Sequence, residues 1–159
     1  MCYAASGPHF FILGGQDLNK GVYNSLWRLN LQTVRDNVRQ AQWEELYTRG
    51  EIPYGISHGC MFIYENKLFL FDINCEENAK KRYYKKADES KDLSKPVLFH
   101  VLNLINFTWQ SWRYEKVPQI EDFAHCFDCE SGTLWLFGGY HNGSKSNILI
   151  KIDVNLQTR

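Results

Sequence analysis

The sequence has no excess of either charge and no long hydrophobic run. Its 159 residues contain 18 Lys and Arg against 18 Asp and Glu, so the formal net charge is zero. A neutral chain lacks the basic field that attracts nucleic acid or acidic lipid. No apolar run approaches the roughly 20 residues that cross a bilayer as a helix. The composition therefore predicts a protein with no membrane and no nucleic-acid partner.

Cysteine is sparse and odd in number. Five cysteines do not suit a paired disulfide framework. The first residues, MCYAASGPHFF, lack the basic segment and the long apolar segment of a secretion signal. We therefore expect an intracellular, cytoplasmic protein.

The sequence also lacks the short motifs of common catalytic sites: it has no Gly-x-Ser-x-Gly, no P-loop and no dinucleotide fingerprint. Cys126 and Cys129 have the spacing of half a zinc site, but zinc needs four ligands and no second Cys-x-x-Cys is present. We expect Cys126 to be buried in a strand and Cys129 to lie in a turn. The prediction is a protein that is not an enzyme and has no cofactor and no metal.

What the sequence does have is a high aromatic content, 15%, and a repeated order of strands and glycines. In Gly132–Asp153, an apolar run (Leu134–Phe137) ends at a glycine pair, and a polar loop leads to a second run, Ile148–Ile152. In Phe10–Leu31, the run Phe10–Leu13 ends at a glycine pair, a polar loop covers Gln16–Asn24, and Ser25–Leu31 alternates like a strand with two different faces. Internal repetition of this kind predicts a repeat architecture.

A third unit lies between these two. Its predicted elements are the strand Ser57–Tyr64, the hairpin turn Glu65–Lys67, and the strands Leu68–Phe71, Val97–Leu104 and Thr108–Trp112. Asp72-Ile73 replaces the glycine pair, and residues 74–96, with seven basic and five acidic side chains, predict a mobile surface loop. A period of roughly 50 residues with four strands per unit is typical of one class of propeller blade.

These units resemble the kelch repeat, in which an apolar strand ends in Gly-Gly and later strands carry an aromatic residue and a Trp. The matching positions are Gly14, Gly15, Trp27, Trp43, His58, Trp109, His125, Gly138 and Gly139. The resemblance covers nearly the whole chain. It implies an all-β fold of four-stranded antiparallel, kelch-type β-propeller blades in one partial domain, residues 1–159. Blade 1 would span about 1–48, blade 2 about 56–116 with the insertion 74–96, and an incomplete blade 3 about 122–159.

The resemblance gives these positions structural roles. Glycine allows a positive φ or a close backbone approach, and Trp43 and Trp109 are expected to pack between adjacent sheets. His58 and His125 precede the glycine position by 14 and 13 residues, which favours a hydrogen-bonding core role over a ligand site. Because propellers typically close with four to eight blades, about three blades make an incomplete ring. The chain is then either a piece of a longer propeller, which we favour, or self-associates to complete one.

The function implied by the resemblance is protein–protein interaction, as a scaffold or substrate-recognition segment that binds a protein partner through loops on one face. The expected loops are Gln16–Tyr23, 74–96 and Tyr140–Ser146. Their candidate contact residues are Asp17, Asn19, Lys20, Tyr23, Arg82, Tyr83, Tyr84, Tyr140, His141 and Asn142. The basic run Lys80–Lys86 is flanked by acids, which favours a solvated loop over an RNA site. The alternative function is a propeller-based enzyme or metal-binding protein.

Overall fold

The computed structural model describes residues 1–19, 21–53, 56, 59–72, 97–114, 120–141 and 143–154. These residues form an all-β chain whose sheets are mainly antiparallel, which confirms the predicted class. Two compact units are found, one made of Met1–Asp72 with Phe99–Trp112 and one that includes the residues from 120 to 154. In the described ranges no helix is long and apolar enough to cross a membrane. Six of the predicted site and repeat positions fall outside these ranges, along with the rest of the 74–96 insertion: Lys20, His58, Arg82, Tyr83, Tyr84 and Asn142.

The first sheet contains four antiparallel strands in chain order: β1 (Cys2–Ser6), β2 (His9–Asp17), β3 (Gly21–Asn30) and β4 (Trp43–Leu46). Between β3 and β4 the chain forms a short helix, α1 (Leu31–Asp36), and a 3-10 turn, Val38–Gln40. The side chain of Asn30 caps α1 by accepting a hydrogen bond from the backbone N–H of Gln32 at 2.9 Å. The predicted four-stranded antiparallel sheet is thus present.

The strand register gives this sheet two different faces. One row across the four strands is buried and consists of Cys2, Leu13, Leu26 and Leu46. The next row lies on the opposite face, because successive residues of a strand alternate in direction, and consists of Tyr3, Ile12, Trp27 and Glu45. The alternation predicted for Ser25–Leu31 follows this register as far as Asn30, where β3 ends.

The first glycine pair does not end its strand, so the predicted stop after Leu13 and the predicted polar loop Gln16–Asn24 are wrong. Pairing between β2 and β3 shifts register between Leu13 and Gly15 and then continues to the end of the hairpin, where Asp17 pairs with Gly21. Gly14 and Gly15 have φ values of +69° and +119°. Their freedom to adopt these angles makes a β-bulge, which bends the strand instead of terminating it.

The bulge also lets another segment of backbone come close. Ile56 accepts a hydrogen bond from the Gly15 N–H at 2.8 Å and donates its own N–H to the carbonyl of Tyr23 at 2.9 Å. A Cβ on Gly14 would collide with the Ile56 carbonyl oxygen. Ile56 is 1% exposed, so this bridge ties the hairpin to the core.

The second sheet has five strands in the order β5-β9-β8-β7-β6: β5 (Arg49–Gly50), β6 (Cys60–Tyr64), β7 (Lys67–Asp72), β8 (Val97–Asn103) and β9 (Thr108–Tyr114). The hairpin turn expected between β6 and β7 is present, with φ values of +47° at Glu65 and +58° at Asn66. The two-residue strand β5 lies at one edge of this sheet and pairs in parallel with β9.

The core of the first unit combines the buried face of β1–β4 with apolar residues of the second sheet, namely Met61, Leu68, Leu70, Leu102 and Trp109. Trp109 is 2% exposed. Trp43, expected to pack between sheets, is instead 44% exposed and meets the ring of Phe10 edge-on at 6.1 Å. The reason is its position on an edge strand, on the face opposite the core.

The second unit has two three-stranded sheets. One pairs β11 (Ala124–Asp128), β12 (Thr133–Phe137) and β15 (Leu149–Asp153), and the other pairs β10 (Ile120–Glu121), β13 (Tyr140–His141) and β14 (Ser144–Lys145). Leu134, Leu136 and Ile152 are buried on one face of the first of these sheets. The predicted strands Leu134–Phe137 and Ile148–Ile152 are confirmed within one residue at each end.

Three expectations for the second unit are wrong. Cys126 is exposed because it lies on the face of β11 opposite Leu134 and Leu136. His125 is also exposed, since β11 is an edge strand. The predicted loop Tyr140–Ser146 contains the short antiparallel hairpin β13–β14.

Candidate partner-binding hairpins

The tip of the β2–β3 hairpin carries three of the predicted contact residues. Asp17 ends β2, and its Oδ1 accepts a hydrogen bond from the backbone N–H of Asn19 at 2.8 Å, which forms an Asx-type turn. Tyr23 lies on β3 and is 38% exposed. Between Asp17 and Asn19, Leu18 is 98% exposed. Sequence reasoning passed over Leu18, although an isolated Leu in the polar stretch QDLNK was a visible signal.

This tip stands on a fixed base. Besides the two Ile56 hydrogen bonds, the side-chain amide of Asn24 donates to the Pro53 carbonyl at 3.2 Å. Recognition residues commonly lie on loops positioned by a rigid scaffold. The hairpin therefore presents an apolar group and short polar groups in a defined place.

The β13–β14 hairpin carries Tyr140 and His141 in the second unit. Tyr140 pairs with Lys145 and is 43% exposed, whereas His141 is half-buried. On its other side β13 pairs with β10, where Ile120 is fully buried. Both predicted residues thus lie on a strand and not in an open loop.

The second glycine pair forms the base of this hairpin. Gly138 and Gly139 have φ values of +72° and +82°. The N–H of Gly138 donates to Ile148 at 3.0 Å, and the Gly139 carbonyl accepts from Ser146 at 2.8 Å. A Cβ on Gly138 would meet only the Ser146 carbonyl at 3.5 Å, an ordinary contact. The two glycine pairs therefore share positive φ values, but a Cβ would collide with its surroundings at Gly14 and not at Gly138.

A polar group that the sequence did not reveal lies in the first unit. His100 on β8 is 3% exposed, and its Nδ1 lies 2.8 Å from the hydroxyl of Ser111 on β9. The carboxylate of Glu51 accepts a hydrogen bond from the backbone N–H of Ser111 at 2.8 Å. Burial lowers the pKa of His100 to about 4, against a smaller opposing effect of Glu51. Because the carboxylate contacts Ser111 and not the imidazole, the arrangement differs from a catalytic triad.

The Cys126–Cys129 pair lies at the end of the β11–β12 hairpin, where both residues are exposed. Asp128 holds this turn by accepting hydrogen bonds from the Ser131 hydroxyl at 2.6 Å and the Glu130 N–H at 3.0 Å, and these bonds lower the pKa of Asp128. His125 lies edge-on to Phe123 at 6.4 Å, and partial burial lowers its pKa. Among the described residues, no group of three or more His, Cys, Asp or Glu could hold a metal ion.

Taken together, the sheets and hairpins define an all-β protein whose exposed features are hairpin tips and sheet faces. No protein-family model matches the sequence, and no curated protein matches it. Among solved structures, the chain is similar to that of YjhT, with a TM-score of 0.63 and 15% identity over 97% of this chain. The match covers 48% of the YjhT chain, so this chain spans about half its length. At that identity the likeness shows the fold alone, a β-rich arrangement of several antiparallel sheets.

Proposed function

We propose that this chain is part of a kelch-type β-propeller that binds a protein partner through its hairpin tips. In this proposal, residues 1–48, 56–116 and 122–159 belong to three blades, the last incomplete. The observation that carries the binding role is the 98% exposure of Leu18 on a hairpin whose base is fixed. An apolar side chain exposed to solvent contributes little to the stability of the fold. Its burial against a partner, in contrast, would stabilise the complex.

Three further features support the proposal. The first sheet has four antiparallel strands, as a blade does, and both glycine pairs adopt positive φ values. Tyr23 and Tyr140 add exposed aromatic rings, a residue type enriched in protein interfaces. The buried residues Cys2 and Cys60 form no disulfide, which suits a reducing cytoplasm.

Site-specific photo-crosslinking tests this function. A photoreactive amino acid replaces Leu18 in one variant and Tyr140 in another, and Ile105 provides the control. Ile105 is 77% exposed in the β8–β9 turn, outside the proposed hairpins. We expect discrete adducts of defined mass from cell extract at positions 18 and 140 but not at 105.

Once an adduct partner is purified, its affinity gives the quantitative test. Leu18→Ser is expected to weaken binding about tenfold, the effect of losing about 1.4 kcal/mol of contact energy. Ile105→Ser should leave the affinity unchanged. Equal crosslinking at all three positions would contradict a role for the hairpin tips.

A further inference from the structure

The connection between β4 and β6 is bound along the side of β9 that faces away from β8. Its residues 49–53, here called the strap, include the two-residue strand β5. The Arg49 N–H donates a hydrogen bond to the carbonyl of Phe107 at 3.0 Å. The Glu51 N–H donates to the carbonyl of Trp109 at 3.1 Å. The start of the strap is thus attached to β9 by the backbone pairing of a short parallel strand.

Two side chains of the strap strengthen this attachment. The Glu51 Oε2 accepts a hydrogen bond from the backbone N–H of Ser111 at 2.8 Å. In a continued parallel ladder the Glu51 backbone carbonyl would accept this bond, so the carboxylate replaces it. The Arg49 Nε donates to the hydroxyl of Thr108 at 3.0 Å.

Gly50 makes the close approach of the strap to β9 possible. Its φ is +87°, an angle that L-residues rarely adopt. A Cβ on Gly50 would collide with the Trp109 carbonyl oxygen and lie 3.1 Å from the Thr108 methyl group. A residue with a side chain at this position would therefore force the strap away from β9.

The other end of the strap is attached to the β2–β3 hairpin. The Ile52 N–H donates to the Gly50 carbonyl at 2.9 Å, which closes a γ-turn around the intervening residue. Pro53 is buried and has a ring-locked φ, and its carbonyl accepts from the side-chain amide of Asn24 at 3.2 Å. Ile56, three residues further along, makes the two backbone hydrogen bonds that hold the bulge of the hairpin.

We propose that the strap and the base of the β2–β3 hairpin open as one cooperative unit, so that release of the strap from β9 also loosens the hairpin. Two paired residues are few beside the about five to six of an average strand, so this attachment opens at a lower free energy than the core unfolds. The turn before Pro53 and its locked φ leave few soft torsions between the two attachments. A displacement at β9 is therefore transmitted to the hairpin base.

The consequence of this coupling for partner binding rests on the proposed function. Leu18 lies at the tip of the same hairpin. A hairpin that is already ordered loses less conformational entropy on binding, so an attached strap favours binding and a released strap weakens it. The opening itself is measured without a partner. A failure of the proposed function would therefore leave the coupling to be decided by its own experiment.

Native-state hydrogen exchange followed by NMR measures the opening at single backbone N–H groups. Glu51 reports on the strap, and Gly15 and Ile56 report on the hairpin base. We expect these three groups to share one free energy of opening in the unchanged chain. Leu104, whose N–H donates to the Asn66 carbonyl at 2.9 Å, is the reference outside the unit.

Gly50→Ala is the variant that releases the strap. Exchange at Gly15 and Ile56 should become about tenfold faster, by the same factor as at Glu51, while the reference stays unchanged. Gly143→Ala is the matched control, because Gly143 also has a positive φ, +75°, but has open space around it and lies on another hairpin. It should leave the rates at Gly15 and Ile56 as they were.

Glu51→Ala provides a second, milder variant if Gly50→Ala does not fold. It removes the acceptor of the Ser111 N–H and should accelerate exchange at Gly15 and Ile56 by a smaller common factor. Faster exchange in the strap alone, with both hairpin groups unchanged, would overturn the proposal. Equal acceleration at Leu104 would also overturn it, because the chain would then open as a whole.

Discussion

Gly14 illustrates how one residue can be required for two separate reasons. Its φ of +69° is strained for a residue with a Cβ, and a Cβ would also collide with the Ile56 carbonyl. Gly7, in the turn between β1 and β2, has a φ of +55° and open space around it. Comparing substitutions at Gly7 and Gly14 therefore distinguishes the cost of a positive φ from the cost of a steric collision.

We expect Gly14→Ala to destabilise the protein more than Gly7→Ala does. The positive φ alone costs roughly 1 to 2 kcal/mol for an L-residue, and a core overlap adds about 1 to 3 kcal/mol. Urea unfolding of both variants measures the difference in the free energy of unfolding. Equal losses would mean that the Ile56 segment shifts freely and that the bulge is not a packing site.

At the scale of a single element, the turn between β6 and β7 is suboptimal. Both central residues, Glu65 and Asn66, have positive φ values, which is the geometry of a type I′ hairpin turn. This turn type favours Asn-Gly, because Asn and Gly both tolerate a positive φ. A positive φ is unfavourable for Glu, which occupies the first central position here.

The double substitution Glu65→Asn with Asn66→Gly should raise stability by roughly 0.5 to 1 kcal/mol, because both residues then suit the turn. The measurement is the urea midpoint at an unchanged slope. Glu130→Asn serves as the control, since Glu130 is an exposed turn residue without a positive φ. If the control raised stability as much as the turn variant does, the gain could not be attributed to the positive φ values of the turn.

The elements that the sequence predicted correctly are those encoded by local patterns. Alternation along Ser25–Leu31 and the turn at Glu65–Lys67 depend on neighbouring residues, and both are present. The bulge at Gly14-Gly15 was misread as a stop, because only pairing with β3 shows that the strand continues. The two-residue strand β5 is defined by its partner β9, which lies about 60 residues away and leaves no local signal.

The candidate site follows the same division. The position of Gln16–Tyr23 after the second predicted strand places Asp17, Asn19 and Tyr23 in one loop. The exposure of Leu18 at the tip is visible only in the structure. His100 and Ser111 lie on adjacent strands 11 residues apart, so their hydrogen bond depends on the β8–β9 register. The sequence carries no motif for that contact.

At the scale of the whole molecule, two buried titratable groups limit the pH range of stability. His100 is neutral when folded because burial lowers its pKa from 6.5 to about 4. Burial raises the pKa of the Cys60 thiol above its ordinary value of 9.0. The unfolded chain therefore binds more protons than the folded chain on the acid side, and it loses a proton more readily on the alkaline side.

The sign of each effect follows from linkage. Between pH 6.5 and about pH 4, unfolded His100 is protonated and folded His100 is not, so stability falls as the pH is lowered across this window. The full loss amounts to about 3 kcal/mol, at roughly 1.4 kcal/mol for each unit of pKa difference. Above pH 9, the unfolded thiol of Cys60 ionises first, so stability falls as the pH is raised.

Urea unfolding across pH 4 to 10 is expected to show this maximum in the unchanged chain. His100→Asn should be less stable at pH 7, because it loses the contact with Ser111, but its stability should change much less between pH 6.5 and 4. Cys60→Ala should flatten the alkaline side and leave the acid side as it was. If His100→Asn kept the full acid slope, the loss would have to come from another group such as His125, whose pKa is also lowered by burial. Asp128 cannot be the source in this range, because its lowered pKa removes stability only below its ordinary value of 3.8. Asp128 is thus separated from the two histidines by the pH at which stability is lost, and the His100→Asn variant separates the contribution of His100 from that of His125.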